Sequence, residues 1–169
     1  MLVYLSLGSN IDREHNIRSG LDALAAAFDG VQISPVYESE AVGFDGEAFL
    51  NLVARIDTAL PVGALAERLR EIEAAHGRVR GQKKFSSRTL DIDVLTYGDA
   101  VGVIDGVELP RDEILKHAFV LQPLADLAPD ERHPVLGKTY TALLAEKDFS
   151  RQALWQIPFP WPLPGPHTG

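Results

Sequence analysis

Two carboxylates stand two residues apart in an apolar segment, Leu90-Asp91-Ile92-Asp93-Val94-Leu95. In a β-strand that spacing puts Asp91 and Asp93 on one face and Ile92 on the other. Just before them, Arg78, Arg80, Lys83, Lys84 and Arg88 fall within eleven residues, with no Asp or Glu among them. Cations beside an acidic pair suit an enzyme that handles a polyphosphate. The acids can hold Mg²⁺, and the Arg and Lys groups can clamp phosphate oxygens. The plainer alternative is a polar strand face next to a solvated charged loop. Neighbouring carboxylates repel unless something offsets them, which favours the metal reading of the pair. A further candidate is Asn51, whose two donors and one acceptor can read the edge of a flat heterocycle, with Phe49 nearby. The alternative there is a core Phe49 and an Asn51 that merely marks a strand edge.

Alternation and helical period say which elements must position these groups. Leu2 to Leu7 is apolar on both faces, as in a buried central strand, and Gly8-Ser9-Asn10 stops it. Asp12 is the expected N-cap of a helix over residues 13–28, with Ile17, Leu21, Leu24 and Phe28 on one face and Asp29-Gly30 closing it. Residues 31–38 read as a second strand in which Pro35 marks an edge or a bulge. Leu50, Leu52, Ala54 and Ile56 alternate with Asn51, Val53, Arg55 and Asp57, which gives a third strand. Pro61 opens a second helix whose buried stripe is Val62, Leu65, Ala66, Leu69 and Ile72, and Gly77 ends it. Residues 90–97 form the fourth strand. A short extra strand is expected over 101–104, a helix over 119–127, a turn at 134–137 and a last helix over 139–146. The end carries Pro158, Pro160, Pro162, Pro164 and Pro166, so it is neither helix nor central strand. It is either a disordered tail or an extended arm laid on the domain by Trp155, Phe159 and Trp161.

The order strand, helix, strand, strand, helix, strand is the split βαβ arrangement of α+β ferredoxin-like folds. Such a βαββαβ core has an antiparallel sheet with helices on one face and an open active-site face. Here extra C-terminal helices follow. The strand phases turn Leu50, Leu52, Ile56, Leu90, Ile92 and Val94 toward the helices. They leave Asn51, Arg55, Asp91 and Asp93 together on the open face. The expected organisation is one domain over residues 1–150 and the Pro-rich segment over 151–169.

Composition narrows the partners. The net charge is −8, whereas a generic nucleic-acid binder is usually basic overall. A basic run inside an acidic chain looks like a site for a small anion, so nucleic acid is not an expected partner. Cysteine is absent, which excludes disulfides and thiolate chemistry. The histidines, His15, His76, His117, His133 and His167, lack metal-ligand spacing. No apolar run reaches the ~20 residues of a membrane span, and the first residues lack a basic leader region. The expectation is a cytoplasmic monomer with small-molecule substrates and no membrane contact.

Taken together, the motifs resemble those of the 6-hydroxymethyl-7,8-dihydropterin pyrophosphokinase family. The resemblance runs over about residues 2 to 130. It is carried by Leu5-Ser6-Leu7-Gly8-Ser9-Asn10, Tyr37, the Gly43 loop, Phe49-Leu50-Asn51, Glu73, Gly77-Arg78-Val79-Arg80, Arg88-Thr89-Leu90-Asp91-Ile92-Asp93 and Phe119-Val120-Leu121-Gln122-Pro123-Leu124. It implies an enzyme that moves the β,γ-diphosphate of ATP to the hydroxymethyl group of the pterin and releases AMP. Asp91 and Asp93 would hold two Mg²⁺ ions. Arg78 and Arg88 would steady the phosphates, and Arg80 with Lys83 or Lys84 would help close a loop. Glu73, Arg111 and His117 would lie with the nucleotide. The pterin would sit between Phe49 and Phe119, with Ser39, Val42, Gly43 and Asn51 reading its edge and Asp91 beside it. Ser86-Ser87 stand where the family has a Pro-containing turn, Glu40 where a Pro is common, and Arg111 and His117 exchange the usual order of a His and an Arg. That exchange raises the alternative of a divergent paralogue acting on a related reduced pterin; a separate alternative, from another class, is a non-catalytic pterin- or nucleotide-binding module that has lost turnover.

Overall fold

The computed structural model describes residues 1–39, 48–77 and 89–162. The first strand, β1 (Leu2–Ser9), runs two residues past Leu7, because Gly8 and Ser9 still pair with the neighbouring strands. The first helix, α1 (Arg13–Ala27), buries Ile17, Leu21 and Leu24. Asp12 is its N-cap residue but lies in the left-handed region at φ 43° and makes no side-chain cap bond. Asp29-Gly30 does not close α1, which ends at Ala27 with Phe28 as its C-cap. It begins β2 (Asp29–Ile33), in which Asp29 pairs with Asp57. Ser34-Pro35 then splits the expected second strand into β2 and β3 (Val36–Ser39). Proline lacks the N–H a continuous ladder needs. The break is sealed by Ser34, whose Oγ accepts the Val53 N–H at 2.9 Å.

Strand β4 (Phe49–Asp57), helix α2 (Val62–Ala75) and strand β5 (Asp91–Tyr97) follow. Gly77 takes the positive φ, 81°, of a residue just past a helix end. A hairpin of β6 (Gly102–Ile104) and β7 (Val107–Leu109) forms a separate two-stranded sheet. Next come α3 (Glu113–Lys116), α4 (Ala118–Leu127) and α5 (Tyr140–Glu146), and then β8 (Leu154–Ile157). The sheet order is β5-β1-β4-β3-β8, with β2 also on β4, and every pairing is antiparallel. The C-terminal segment supplies the outer strand, β8, beside β3. Its Phe159 lies under the Arg18 guanidinium at 4.7 Å, and Trp161 Nε1 donates to Asp22 at 2.9 Å.

One side of the sheet carries the larger core, in which Val3, Leu5, Leu7, Leu52, Ile56, Ile92 and Val94 meet α1 and α2. The other side is not wholly open, which corrects the expectation of helices on one face only. Tyr4, Val53 and Leu95 lie there and are buried by Val120, Leu121 and Leu124 of α4, with Tyr140 and Leu143 of α5. Three large apolar side chains on a face need cover, and α4 supplies it. Among the described residues, no helix covers the end of that face around Ser6, Gly8, Asp91 and Asp93, all partly exposed.

Candidate active site

Antiparallel register places residues side by side across the sheet. Tyr37 is opposite Asn51, Asn51 opposite Gly8, and Gly8 opposite Asp91. The row Tyr37–Asn51–Gly8–Asp91 therefore crosses four strands on one face. One step along, Val53, Ser6 and Asp93 make the next row. Gly8 has no side chain, so its position is a gap between the amide of Asn51 and the carboxylate of Asp91. A Cβ built there would lie 3.2 Å from Asn51 Oδ1 and 3.8 Å from Phe49 Cδ1. Phe49 and Asn51 thus close over the Gly8 backbone and form a shallow trough.

Each wall is fixed by named contacts. Asn51 is buried and donates through Nδ2 to Ser39 Oγ at 2.7 Å, which locks its amide plane. Asp93 faces Arg111 at 3.5 Å, and the same guanidinium reaches Glu113 at 3.8 Å. Arg111 is delivered there by its own N–H, which donates to Leu95 O at 2.9 Å. Glu73 reaches from α2 and accepts the Ile92 N–H at 2.8 Å, between the two aspartates. β5 is an edge strand, so this bond satisfies a donor the sheet leaves unpaired. On the opposite wall, the Tyr37 hydroxyl donates to Asp126 of α4, which also accepts from Gln122 Nε2 at 3.0 Å. Burial, followed by that carboxylate, pushes the Tyr37 hydroxyl well above its ordinary pKa, so it stays a proton donor. Phe119, in the first turn of α4, stacks on His117 with ring centres 4.7 Å apart and planes 17° from parallel.

The structure thus gathers Asn51, Ser39, Phe49, Asp91 and Asp93 around one trough and adds Arg111 and Glu73 at the acidic strand. His117 pairs with Phe119. Arg78, Arg80, Lys83, Lys84, Arg88, Val42 and Gly43 lie outside the described residues. Sequence reasoning missed Arg13, whose guanidinium bonds Ala48 O at 2.8 Å and Glu38 at 3.3 Å. It ties together the two ends of the 40–47 connection. No spacing rule links residue 13 to 38 and 48. It also missed the Tyr37–Asp126 bond, for which the only signal was an ionisable residue on the helix of the Val120-Leu121-Gln122-Pro123-Leu124 motif.

The donor set fits a hard divalent cation. Asp91 and Asp93 offer carboxylate oxygens on one face, as Mg²⁺ prefers, and Mg²⁺ usually takes one or two carboxylates plus substrate phosphates and water. Among the described residues no three His, Asp or Glu groups form a metal-sized cluster, so protein ligation there would rest on that pair.

A family model described as 7,8-dihydro-6-hydroxymethylpterin-pyrophosphokinase matches residues 4–129. A Pseudomonas aeruginosa protein named 2-amino-4-hydroxy-6-hydroxymethyldihydropteridine pyrophosphokinase is 39% identical over 151 residues, covering 87% of this chain and 92% of its own. An Aquifex aeolicus protein of the same name is 35% identical over 138 residues, covering 80% and 86%. The Folic acid synthesis protein fol1 of Pneumocystis carinii is 36% identical over 140 residues, covering 80% of this chain and 18% of that one. Among solved structures, Plasmodium falciparum HPPK-DHPS superposes with a TM-score of 0.64 over 89% of this chain and 42% of that chain. At 15% identity that likeness speaks for the fold alone.

Proposed function

The chain belongs to the 7,8-dihydro-6-hydroxymethylpterin-pyrophosphokinase family, and we propose that the Asn51–Gly8–Asp91 row is where it brings a reduced pterin and ATP together. It is a pyrophosphokinase of folate biosynthesis. The reaction joins the pterin hydroxymethyl oxygen to the β-phosphorus of ATP. The bond to the α-phosphate oxygen breaks, AMP leaves with that electron pair, and the hydroxyl proton passes to solvent. The observation that carries the placement is the register: Asp91 and Asn51 face the same gap over Gly8.

In this proposal Asn51, held by Ser39, reads the polar edge of the pterin, together with Val42 and Gly43. Phe49 and Phe119 supply apolar surface for its rings. Asp91 and Asp93 hold two Mg²⁺ ions, which when bound neutralise the triphosphate and favour in-line attack. Glu73 acts first on the strand, because it fixes the backbone between the two aspartates. Arg111 balances Asp93 until the nucleotide arrives, and then turns with His117 toward phosphate. Arg78, Arg80, Lys83, Lys84 and Arg88 clamp the polyphosphate. No protein nucleophile is needed, so the residues contribute position and charge. The strand order β5-β1-β4 with β2 and β3 on the far side supports a ferredoxin-like βαββαβ core. None of the described helices is long and apolar enough to cross a membrane. We place the enzyme in the cytoplasm as a monomer.

The test is a coupled assay with ATP, Mg²⁺ and 6-hydroxymethyl-7,8-dihydropterin. AMP should appear only with the pterin present; release of ADP instead would reject diphosphate transfer. Asp91→Asn and Asp93→Asn should each lower kcat/KM by ~10³-fold or more, since a bound metal supplies several kcal/mol of charge stabilisation. Circular dichroism of both variants should match the parent.

A further inference from the structure

Helix α4 begins without a cap of its own. Its N-cap residue, His117, makes no side-chain cap hydrogen bond. The first N–H groups of a helix lack intrahelical partners, and one left dry weakens the first turn. Here the missing acceptor comes from 34 residues further along the chain. Gln152 Oε1 accepts the Ala118 N–H at 2.7 Å, and Gln152 Nε2 donates to Lys116 O at 3.0 Å. One side-chain amide therefore spans both peptides flanking His117 and sets the direction in which α4 starts. Phe119 is the next residue of that turn, stacked on His117.

Gln152 is itself held firmly. Its N–H closes a turn onto Phe149 O at 2.8 Å, and Phe149 packs against the α4–α5 core. Two residues later the chain enters β8, where Leu154 lies opposite Ser39, the acceptor of the Asn51 amide. Beyond β8, Trp161 and Phe159 fasten the arm to α1 through Asp22 and Arg18. The arm thus touches both β3, whose Ser39 holds Asn51, and the start of α4, which carries Phe119.

We propose that Gln152 is a positioning residue for pterin binding: it caps α4 from the C-terminal arm and so fixes Phe119 against the Asn51 wall. The proposal rests on the assignment of Phe119 to the pterin. Replacing Gln152 leaves every group proposed to contact substrate in place and removes only what aims one of them.

The experiment is a double-mutant cycle on the full chain, with pterin KM, kcat and melting temperature measured for the parent, Gln152→Ala, Phe119→Leu and the pair. Gln152→Ala should raise the pterin KM roughly fivefold to tenfold, the effect of losing about one cap hydrogen bond, with kcat within about twofold. In the Phe119→Leu background the same change should move KM less than about twofold, because the group being aimed is gone. Gln152→Glu keeps an acceptor for the Ala118 N–H and should recover most of the KM. An unmoved KM with a lowered melting temperature would show a purely structural cap and overturn the proposal, as would fully additive effects. No recovery in Gln152→Glu would overturn the cap as the operative contact. If the parent itself releases no AMP in response to pterin, the functional assignment fails and this proposal fails with it; a normal parent with an unmoved Gln152→Ala removes the proposal alone.

Discussion

Gly8 is the residue on which the trough depends, and the reason is space rather than backbone conformation. Its φ is not in the left-handed region, so an Ala there meets no torsional barrier. The added Cβ would sit 3.2 Å from Asn51 Oδ1, closer than a comfortable contact, and Asn51 cannot swing away without giving up its 2.7 Å bond to Ser39. For stability two effects oppose one another. Removing Gly from a strand interior gains ~0.5–1 kcal/mol, and the crowding costs about as much. Gly8→Ala should therefore melt within a few degrees of the parent. Binding has no such compensation, because the methyl fills the gap and tilts the amide that reads the pterin. The pterin KM should rise by about tenfold or more, corresponding to ~1.4 kcal/mol, with the ATP KM little changed. Isothermal titration with each substrate separates the two, and an unchanged pterin affinity would remove Gly8 from the site.

At the scale of elements, what could be read in advance was whatever one periodicity decides. β4 alternates, β1 is apolar on both faces as a central strand is, α1 and α2 keep a 3.6-residue stripe, and the period of two already put Asp91, Asp93 and Asn51 on one face. The rest was set by partners distant in the chain. β2 and β3 are two strands because Pro35 interrupts the ladder and Ser34 repairs it; α3, β7 and β8 are too short to carry a pattern of their own. The covered half of the second face did have a signal, in Val53 between Asn51 and Arg55, an apolar residue on a face expected to be wet. The α4–α5 connection shows how such a partner-dependent element is held. His133 is buried, and its Nδ1 accepts the N–H groups of both Val135 and Leu136 at 3.2 Å, which requires that nitrogen to be unprotonated. Burial lowers its pKa below the ordinary value. The unfolded chain then binds a proton more readily than the folded one, so this stabilisation is present above about pH 6.5 and is lost as pH falls through the lower folded value. Melting temperature should fall over that window in the parent. In His133→Asn, whose amide oxygen can accept without titrating, the slope there should flatten; an identical slope in both would assign it to other groups.

The whole molecule is two cores sharing one sheet. Leu5, Leu52 and Ala54 face α1 and α2, while Tyr4 and Val53 of the same strands face α4 and α5. Because β1 and β4 separate the two cores, neither core can empty without disturbing the other, and the chain should unfold as one unit. The protein carries its own probe for this: both tryptophans, Trp155 and Trp161, lie in the C-terminal arm. Fluorescence therefore reports the arm, and far-ultraviolet circular dichroism reports the helices and sheet. Leu21 and Leu124 are each fully buried, one in each core. Truncating either to Ala should cost ~2–5 kcal/mol, a large part of the ~5–15 kcal/mol expected for a domain, and lower the melting temperature without dividing the transition. The two variants should differ in function. Leu21 is on the buried face of α1, on the side of the sheet away from the trough, so Leu21→Ala should keep the parent's pterin KM at a temperature where it is folded. Leu124 anchors α4, and the cavity left by Leu124→Ala should loosen the helix that carries Phe119 and raise the pterin KM several-fold. A fluorescence melt that precedes the dichroism melt would mean the arm leaves first and the two cores do not act as one. Equal KM values in the two variants would mean that α4 does not set the pterin wall.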